Sequence, residues 1–301
     1  MIVDAHSHWL PEEIIRNAHF YSAAWGDIEA QVRAMREQGI ARALLSYPTT
    51  DAHTKLGGSF ALARSYNDAV AALCRRYPEF FAGACVVPAD EPDNILDEAR
   101  RAVEELGCVA VSLASSCQRA YLDDERYRPL FAYCRKERLP VFVHSQTCEP
   151  IGSERVQDPL LTPVVEYMFD MTMCIGRMLM AGTFRDFPDV PFIFANFGGA
   201  ITLLQQRFDA TYRMLRAAGF VKDLGAEPTH YLKNIYLDTG GDAVSANFDL
   251  ALKLVGAEHI LWGSDWPAKR SAQESIAAVK ALALSDTDTA AILGGNLERL
   301  L

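Results

Sequence analysis

Ile2-Val3-Asp4-Ala5-His6-Ser7-His8 is a short apolar run that ends in two histidines one residue apart. Side chains two apart on a strand point the same way. The imidazoles of His6 and His8 therefore converge at one strand end, and two such imidazoles are two thirds of the usual protein shell of a catalytic divalent metal. The stretch also weighs on the fold. A doubly wound nucleotide-binding sheet wants a glycine-rich loop after its first strand, and this chain places histidines there.

Outward from that run, apolar strand-like segments recur with helical patterns between them. Strands are expected at Ile2–Ala5, Ile40–Tyr47, Phe81–Val87, Cys108–Leu113, Pro140–His144, Pro191–Ala195, Asn234–Asp238 and His259–Gly263. Helices are expected at Asp27–Gln38, Ser59–Arg76, Asp93–Leu106, Asp124–Arg138, Pro163–Phe184, Ala200–Ala218, Ser245–Val255, Ser271–Leu284 and Thr287–Leu301. Near-continuous apolar strands suit a parallel sheet covered on both faces. Eight alternations within 301 residues point to an α/β fold, a (β/α)8 TIM barrel forming a single domain over residues 1–301. The longest irregular stretch, Ser145–Thr162, follows the fifth strand and is a candidate lid.

Half of the residues are hydrophobic, so the core needs no disulfide staple. The seven cysteines are scattered without zinc-knuckle spacing and read as reduced thiols of a cytoplasmic protein. A net charge of -10 with no basic stripe argues against nucleic acid. No segment has the length of a membrane span or the pattern of a secretory leader.

Barrels of this kind carry their chemistry at the C-terminal strand ends. His6 and His8 end the first strand, His144 the fifth, and Asp265 follows the eighth. Three imidazoles and one carboxylate on a single rim suit one divalent metal, Zn2+ first, with Mn2+, Fe2+ and Co2+ as alternatives. Taken alone, Asp265 is equally a cap for the next helix. His53, after the second strand, lies on the same rim and is a candidate for substrate binding or proton transfer. Trp9, Trp25, Tyr47, Phe169, Phe197 and Trp266 are candidate walls for a flat substrate, and core packing is the competing reading.

These residues resemble the amidohydrolase superfamily, in particular its amidohydrolase-related branch that includes aminocarboxymuconate-semialdehyde decarboxylase. The resemblance is carried by Asp4-Ala5-His6-Ser7-His8-Trp9-Leu10-Pro11, Phe169-Asp170-Met171-Thr172, Phe184-Arg185-Asp186-Phe187-Pro188, Asn196-Phe197-Gly198-Gly199-Ala200, Ile235-Tyr236-Leu237-Asp238-Thr239 and Ile260-Leu261-Trp262-Gly263-Ser264-Asp265-Trp266-Pro267. It implies one metal on His6, His8, His144 and Asp265, and a homodimer. The fourth strand end, Ala114-Ser115-Ser116, lacks the lysine of the two-metal members. The family commonly has a histidine where this chain has Asn196, and asparagine cannot take a proton near neutral pH. The proton-transfer role then passes to Asp265, with His53 as a second candidate.

Two reactions follow. One is metal-dependent non-oxidative decarboxylation of a small unsaturated or aromatic carboxylic acid, with Asp265 shuttling a proton and Lys269, Arg270 or Arg177 meeting the carboxylate. The other is metal-dependent hydrolysis of a lactone, ester or amide, with Asp265 as base and Asn196 donating to the oxyanion. A third reading, a catalytically inactive metal-binding relative, follows from the loss of the family histidine.

Overall fold

The computed structural model describes residues 1–155 and 158–301. Eight parallel strands form one sheet in chain order: β1 (Ile2–His8), β2 (Ile40–Ser46), β3 (Phe81–Cys85), β4 (Ala110–Ala114), β5 (Val141–His144), β6 (Phe192–Phe194), β7 (Tyr236–Asp238) and β8 (Ile260–Leu261). The sheet closes on itself. Ala5 N donates to Trp262 O (3.0 Å), His8 N to Trp266 O (2.8 Å) and Asp265 N to His6 O (2.8 Å). The expected (β/α)8 barrel is the observed architecture, and the closing seam lies at the first and last strand ends.

Eight principal helices cover the barrel: α1 (Ile28–Gln38), α2 (Ser59–Arg76), α3 (Pro92–Arg100), α4 (Arg128–Glu137), α5 (Tyr167–Ala181), α6 (Gln205–Ala217), α7 (Ser245–Val255) and α8 (Gln273–Ala281). Local chemistry sets their limits. Asp27 caps α1 by accepting from Ala30 N at 2.9 Å, and Gly39 stops it in the left-handed region at φ 71°. Two expected helices are broken. The one expected from Pro163 to Phe184 ends at Gly182, at φ 82°, before a short turn at Thr183–Asp186. The C-terminal one is three short pieces, because Gly294 lies against the start of β1, where a Cβ would come 2.8 Å from Val3 N.

Two features of β1 aim the histidines. A register shift between Asp4 and Ser7 interrupts its pairing with β2. Ser7 then accepts from Gln31 of α1, and Asp4 from Ser264, while His6 packs edge-on to the ring of Phe142 and His8 stacks on Trp25. In addition, Gly263 sits against His6 so closely that a Cβ there would fall on the His6 Cβ. Gly263→Ala is therefore expected to cost about 1–3 kcal/mol by overpacking, seen as a Tm several degrees lower; an unchanged Tm would contradict this seam geometry.

Candidate metal centre and cleft

His6, His8 and His144 are all buried, and one ring nitrogen of each lies within 4.8 Å of the others. The pairing of Ala114 with His144 brings β4 and β5 to the same level, with His6 and His144 ring centroids 5.3 Å apart and His8 and His144 4.9 Å apart. His6 Nε2 and His8 Nε2 are 3.0 Å apart, and Asp265 Oδ1 lies 3.5 Å from the first and 3.6 Å from the second. The four residues expected to share one centre are thus brought together. Asp265 holds a left-handed backbone at φ 62°, an uncommon conformation for a non-glycine residue at a functional rim. It sits eight residues before α8, so the capping alternative falls away.

Each imidazole has its Nδ1 tied to an acceptor. Nδ1 of His6 donates to Asp238 Oδ1 at 3.0 Å, that of His8 to Ser46 O at 3.0 Å, and that of His144 to Ser145 O at 2.9 Å. A backbone carbonyl only accepts, so the neutral rings of His8 and His144 carry their proton on Nδ1 and leave the Nε2 lone pair free. Outer acceptors of this kind fix the tautomer of metal-ligating histidines. Three such rings and a carboxylate form a donor set that fits one borderline divalent ion.

The electrostatics ask for positive charge at that point. Burial, reinforced by the neighbouring imidazoles, holds His144 well below its ordinary pKa, and burial also lowers His8. Burial opposes charge on His6 too, but the touching Asp238 outweighs it, with help from Asp265 and Asp4, and raises His6 to about 9. Burial pushes Asp265 upward, yet the His8 contact and the three rings hold it below the usual carboxylate range.

Asp238 is the site residue that sequence reasoning did not assign. It is fully buried at the end of β7, and Oδ1 also accepts from Gly240 N at 2.6 Å and, at 3.4 Å, from Asn196 N. Its position at a strand end on the active rim was the available signal. Asn196 itself stands at φ 52°, with its side-chain oxygen pressed on Gly240, where any Cβ would collide. Only glycine at 240 leaves that space.

Several expected positions are corrected. Phe169 is 55% exposed on α5 and is not among the residues that line the cleft described below. Phe197 is buried against Phe248, with ring centroids 5.1 Å apart, and is core. Tyr47 is buried beside Tyr66 with its hydroxyl on Thr50, and Trp9 ties its indole to Gly26 O. Trp266 borders a small gap with Asp4 and Gln31 behind the rim, although its carbonyl anchors His8. Arg177 is 52% exposed and bidentate on Asp123, and Lys269 is spent on Gly240 O at 2.7 Å. His53 sits in a single turn at Ala52–Thr54 with no side-chain hydrogen bond to the cluster among the described residues. Of the aromatic candidates, Trp25 does reach the centre, stacking on His8 at 5.9 Å.

A cleft of about 1070 Å3 lies among the loops on the side of the C-terminal strand ends, and none of His6, His8, His144 and Asp265 is among its lining residues. Its walls come from His19–Tyr21, Asp51, the short hairpin after β4, the loop after β5, and Tyr167 and Asp170 at the start of α5. The expected lid stretch supplies much of this wall, including Thr147–Ile151 and Asp158; Val156 and Gln157 lie outside the described residues.

Comparison with known proteins fits this architecture. A family model described as "Amidohydrolase" matches residues 3–301. This chain belongs to that amidohydrolase family. Among its relatives, a gamma-resorcylate decarboxylase of Rhodococcus jostii (strain RHA1) is 24% identical over 283 residues, covering 86% of this chain and 85% of the relative. The 2-amino-3-carboxymuconate-6-semialdehyde decarboxylase of Dictyostelium discoideum is 25% identical, covering 78% and 65%. The amidohydrolase-related decarboxylase branch suggested by the motifs is therefore borne out. Among solved structures, 5-carboxyvanillate decarboxylase from Sphingomonas paucimobilis superposes with a TM-score of 0.89 at 19% identity, covering 99% of this chain and 98% of that one. A dihydroxybenzoic acid decarboxylase from Polaromonas sp. JS666, solved with bound manganese and 2-nitroresorcinol, gives 0.84 at 22%, covering 99% and 96%.

Proposed function

We propose that this amidohydrolase is a metal-dependent non-oxidative decarboxylase of a small aromatic or unsaturated carboxylic acid. One observation carries the proposal: three buried imidazoles, each pinned through Nδ1, face one carboxylate at the mouth of a closed barrel. His6, His8, His144 and Asp265 would hold one divalent cation, Zn2+ or Mn2+ by donor type, and the manganese-containing relative supports the second. Once bound, the ion supplies Lewis-acid stabilisation of charge on the substrate's oxygens.

The remaining chemistry belongs to side chains. Asp265 takes up the proton of the substrate's acid group and relays it to the carbon that bears the carboxylate, forming a C–H bond. The C–C bond then breaks, its electron pair returns to the unsaturated system, and CO2 leaves. Held below the usual carboxylate range, Asp265 starts ionised, which suits a carboxylate that first takes up a proton and then relays it. Trp25 and Phe142 keep the histidine side of the site apolar. The test is CO2 release from a panel of hydroxybenzoates and unsaturated acids by the Mn2+- or Zn2+-loaded protein. Release dependent on metal is expected; a panel without release, alongside hydrolysis of lactones or esters, would favour the second reading. That reading rests on Asn196, fixed beside Asp238 with an amide able to donate to an oxyanion.

The assembly proposed is a homodimer. Leu161, Val165, Phe169 and Met173 recur every fourth residue and are exposed, as are Leu160 and Val164 next to them in the chain. A continuous apolar stripe of this kind is unusual on a free monomer surface. Seven free cysteines agree with a reducing, cytoplasmic setting, and no described helix is long and apolar enough to cross a membrane.

A further inference from the structure

A hydrogen bond at Nδ1 fixes one point of an imidazole but leaves the ring free to swing about that point, and a bound metal needs the ring's orientation fixed as well. For His8, Ser46 O supplies the first restraint at 3.0 Å. Trp25 supplies the second. Its ring stacks on that of His8 with centroids 5.9 Å apart and planes at 27°. Trp25 belongs to the loop after β1, where its carbonyl accepts from Leu10 N at 2.9 Å and the ring of Tyr21 packs edge-on against its own at 4.8 Å.

Tyr21 is tied in turn. Its hydroxyl donates to Thr49 O at 2.5 Å, and Thr147 Oγ1 donates to the same oxygen at 3.0 Å. Tyr21 comes from the loop after β1, Thr49 from the loop after β2, and Thr147 from the loop after β5, just beyond His144. Tyr167 OH reaches Thr147 O at 3.3 Å and adds the start of α5 to the same group. Thr49 stands at φ 62°, a genuine outlier for a β-branched residue. Such strain persists only where the surroundings over-determine it, and it gathers at functional sites. Two hydroxyls on one carbonyl are surroundings of that kind. Tyr21 also lines the cleft, so the tie joins the cleft wall to the stack on His8.

We infer that Tyr21 is a positioning residue of the metal centre: its hydroxyl, tied to the strained Thr49 carbonyl, holds Trp25 on the face of His8 and so slows loss of the bound ion. This goes beyond the proposed reaction and rests only on the metal centre within it. Without the hydroxyl, Tyr21 and Trp25 keep their ring contact but lose their anchor on the loop after β2. His8 then keeps Ser46 O and loses the restraint on its ring plane, so its Nε2 spends less time aimed at the point it shares with His6, His144 and Asp265.

The experiment is the rate at which the Zn2+-loaded protein releases its metal into an excess of a chromogenic chelator, read beside the Tm of the metal-free protein. Tyr21→Phe removes the hydroxyl and keeps the ring. Its release is expected to quicken about three- to tenfold, the scale of one lost hydrogen bond, with the metal-free Tm within about two degrees of the natural protein. Trp25→Leu should quicken release about tenfold or more, as loss of support around a metal-ligating histidine does. Both changes together should do no more than Trp25→Leu alone, because Tyr21 acts through Trp25. Tyr133→Phe, which deletes a hydroxyl bond to Glu104 away from the cluster, should release metal at the natural rate. Natural-rate release from Tyr21→Phe, effects that multiply in the double variant, or equal quickening by Tyr133→Phe overturns the inference. Metal held by the natural protein, with release unmoved by either change, would reject this inference and keep the centre. A natural protein that retains no Zn2+ would overturn both, and CO2 release judges the reaction separately.

Discussion

Asp265→Asn is expected to lower kcat about 10³-fold, the scale of a lost general acid, with Tm within a degree or two of the natural protein. Asparagine keeps the shape of the side chain, so the left-handed backbone at φ 62° and the Asp265 N to His6 O bond should persist. What disappears is the transferable proton at the one carboxylate that touches both His6 and His8. KM should change far less than kcat if the residue acts on the reacting carbon and not in holding the ground state. Steady-state rates on the best acid of the panel provide the check. Turnover within threefold of the natural enzyme would remove Asp265 from proton transfer and return attention to His53.

Asp238→Asn is expected to weaken metal affinity about 10–100-fold, the usual consequence of disturbing the acceptor behind a metal-ligating histidine. The carboxylate now pins His6 Nδ1 and supplies the charge that outweighs the burial of His6. An amide oxygen in its place accepts the same hydrogen bond without the charge, and it still serves Gly240 N. Asp238→Ala should do more: Gly240 N and His6 Nδ1 lose a buried acceptor, at a further cost of about 1–3 kcal/mol of stability. Competition against a fluorescent chelator measures the affinity, and thermal unfolding measures the second effect. Unaltered affinity in Asp238→Asn would mean that His6 is oriented by packing alone.

Asp238 also marks where sequence reading runs out. The apolar strands, their order and the barrel are legible because each depends on a local pattern, and the same holds for His6, His8, His144 and Asp265, whose strand ends are visible in the chain. The partner of His6 Nδ1 lies 232 positions away, and no local pattern joins the two residues. The aromatic candidates failed for a related reason. Phe197 and Tyr47 occupy rim positions in the chain, yet helix packing from Phe248 and Tyr66 draws both into the core. Phe169 lies about 100° around the helix from the buried Asp170, and there it joins the exposed apolar stripe. Arg177 is a reasonable cation from sequence, but Asp123 claims it.

The central claim is a single metal shared by four side chains, and anomalous diffraction from crystals grown with Mn2+ or Zn2+ tests it most directly. One peak is expected among the inner nitrogens of His6, His8 and His144 and the carboxylate of Asp265, at about 2.0–2.2 Å from each for zinc. No peak there at saturating metal, or a peak held by other residues, would contradict the account.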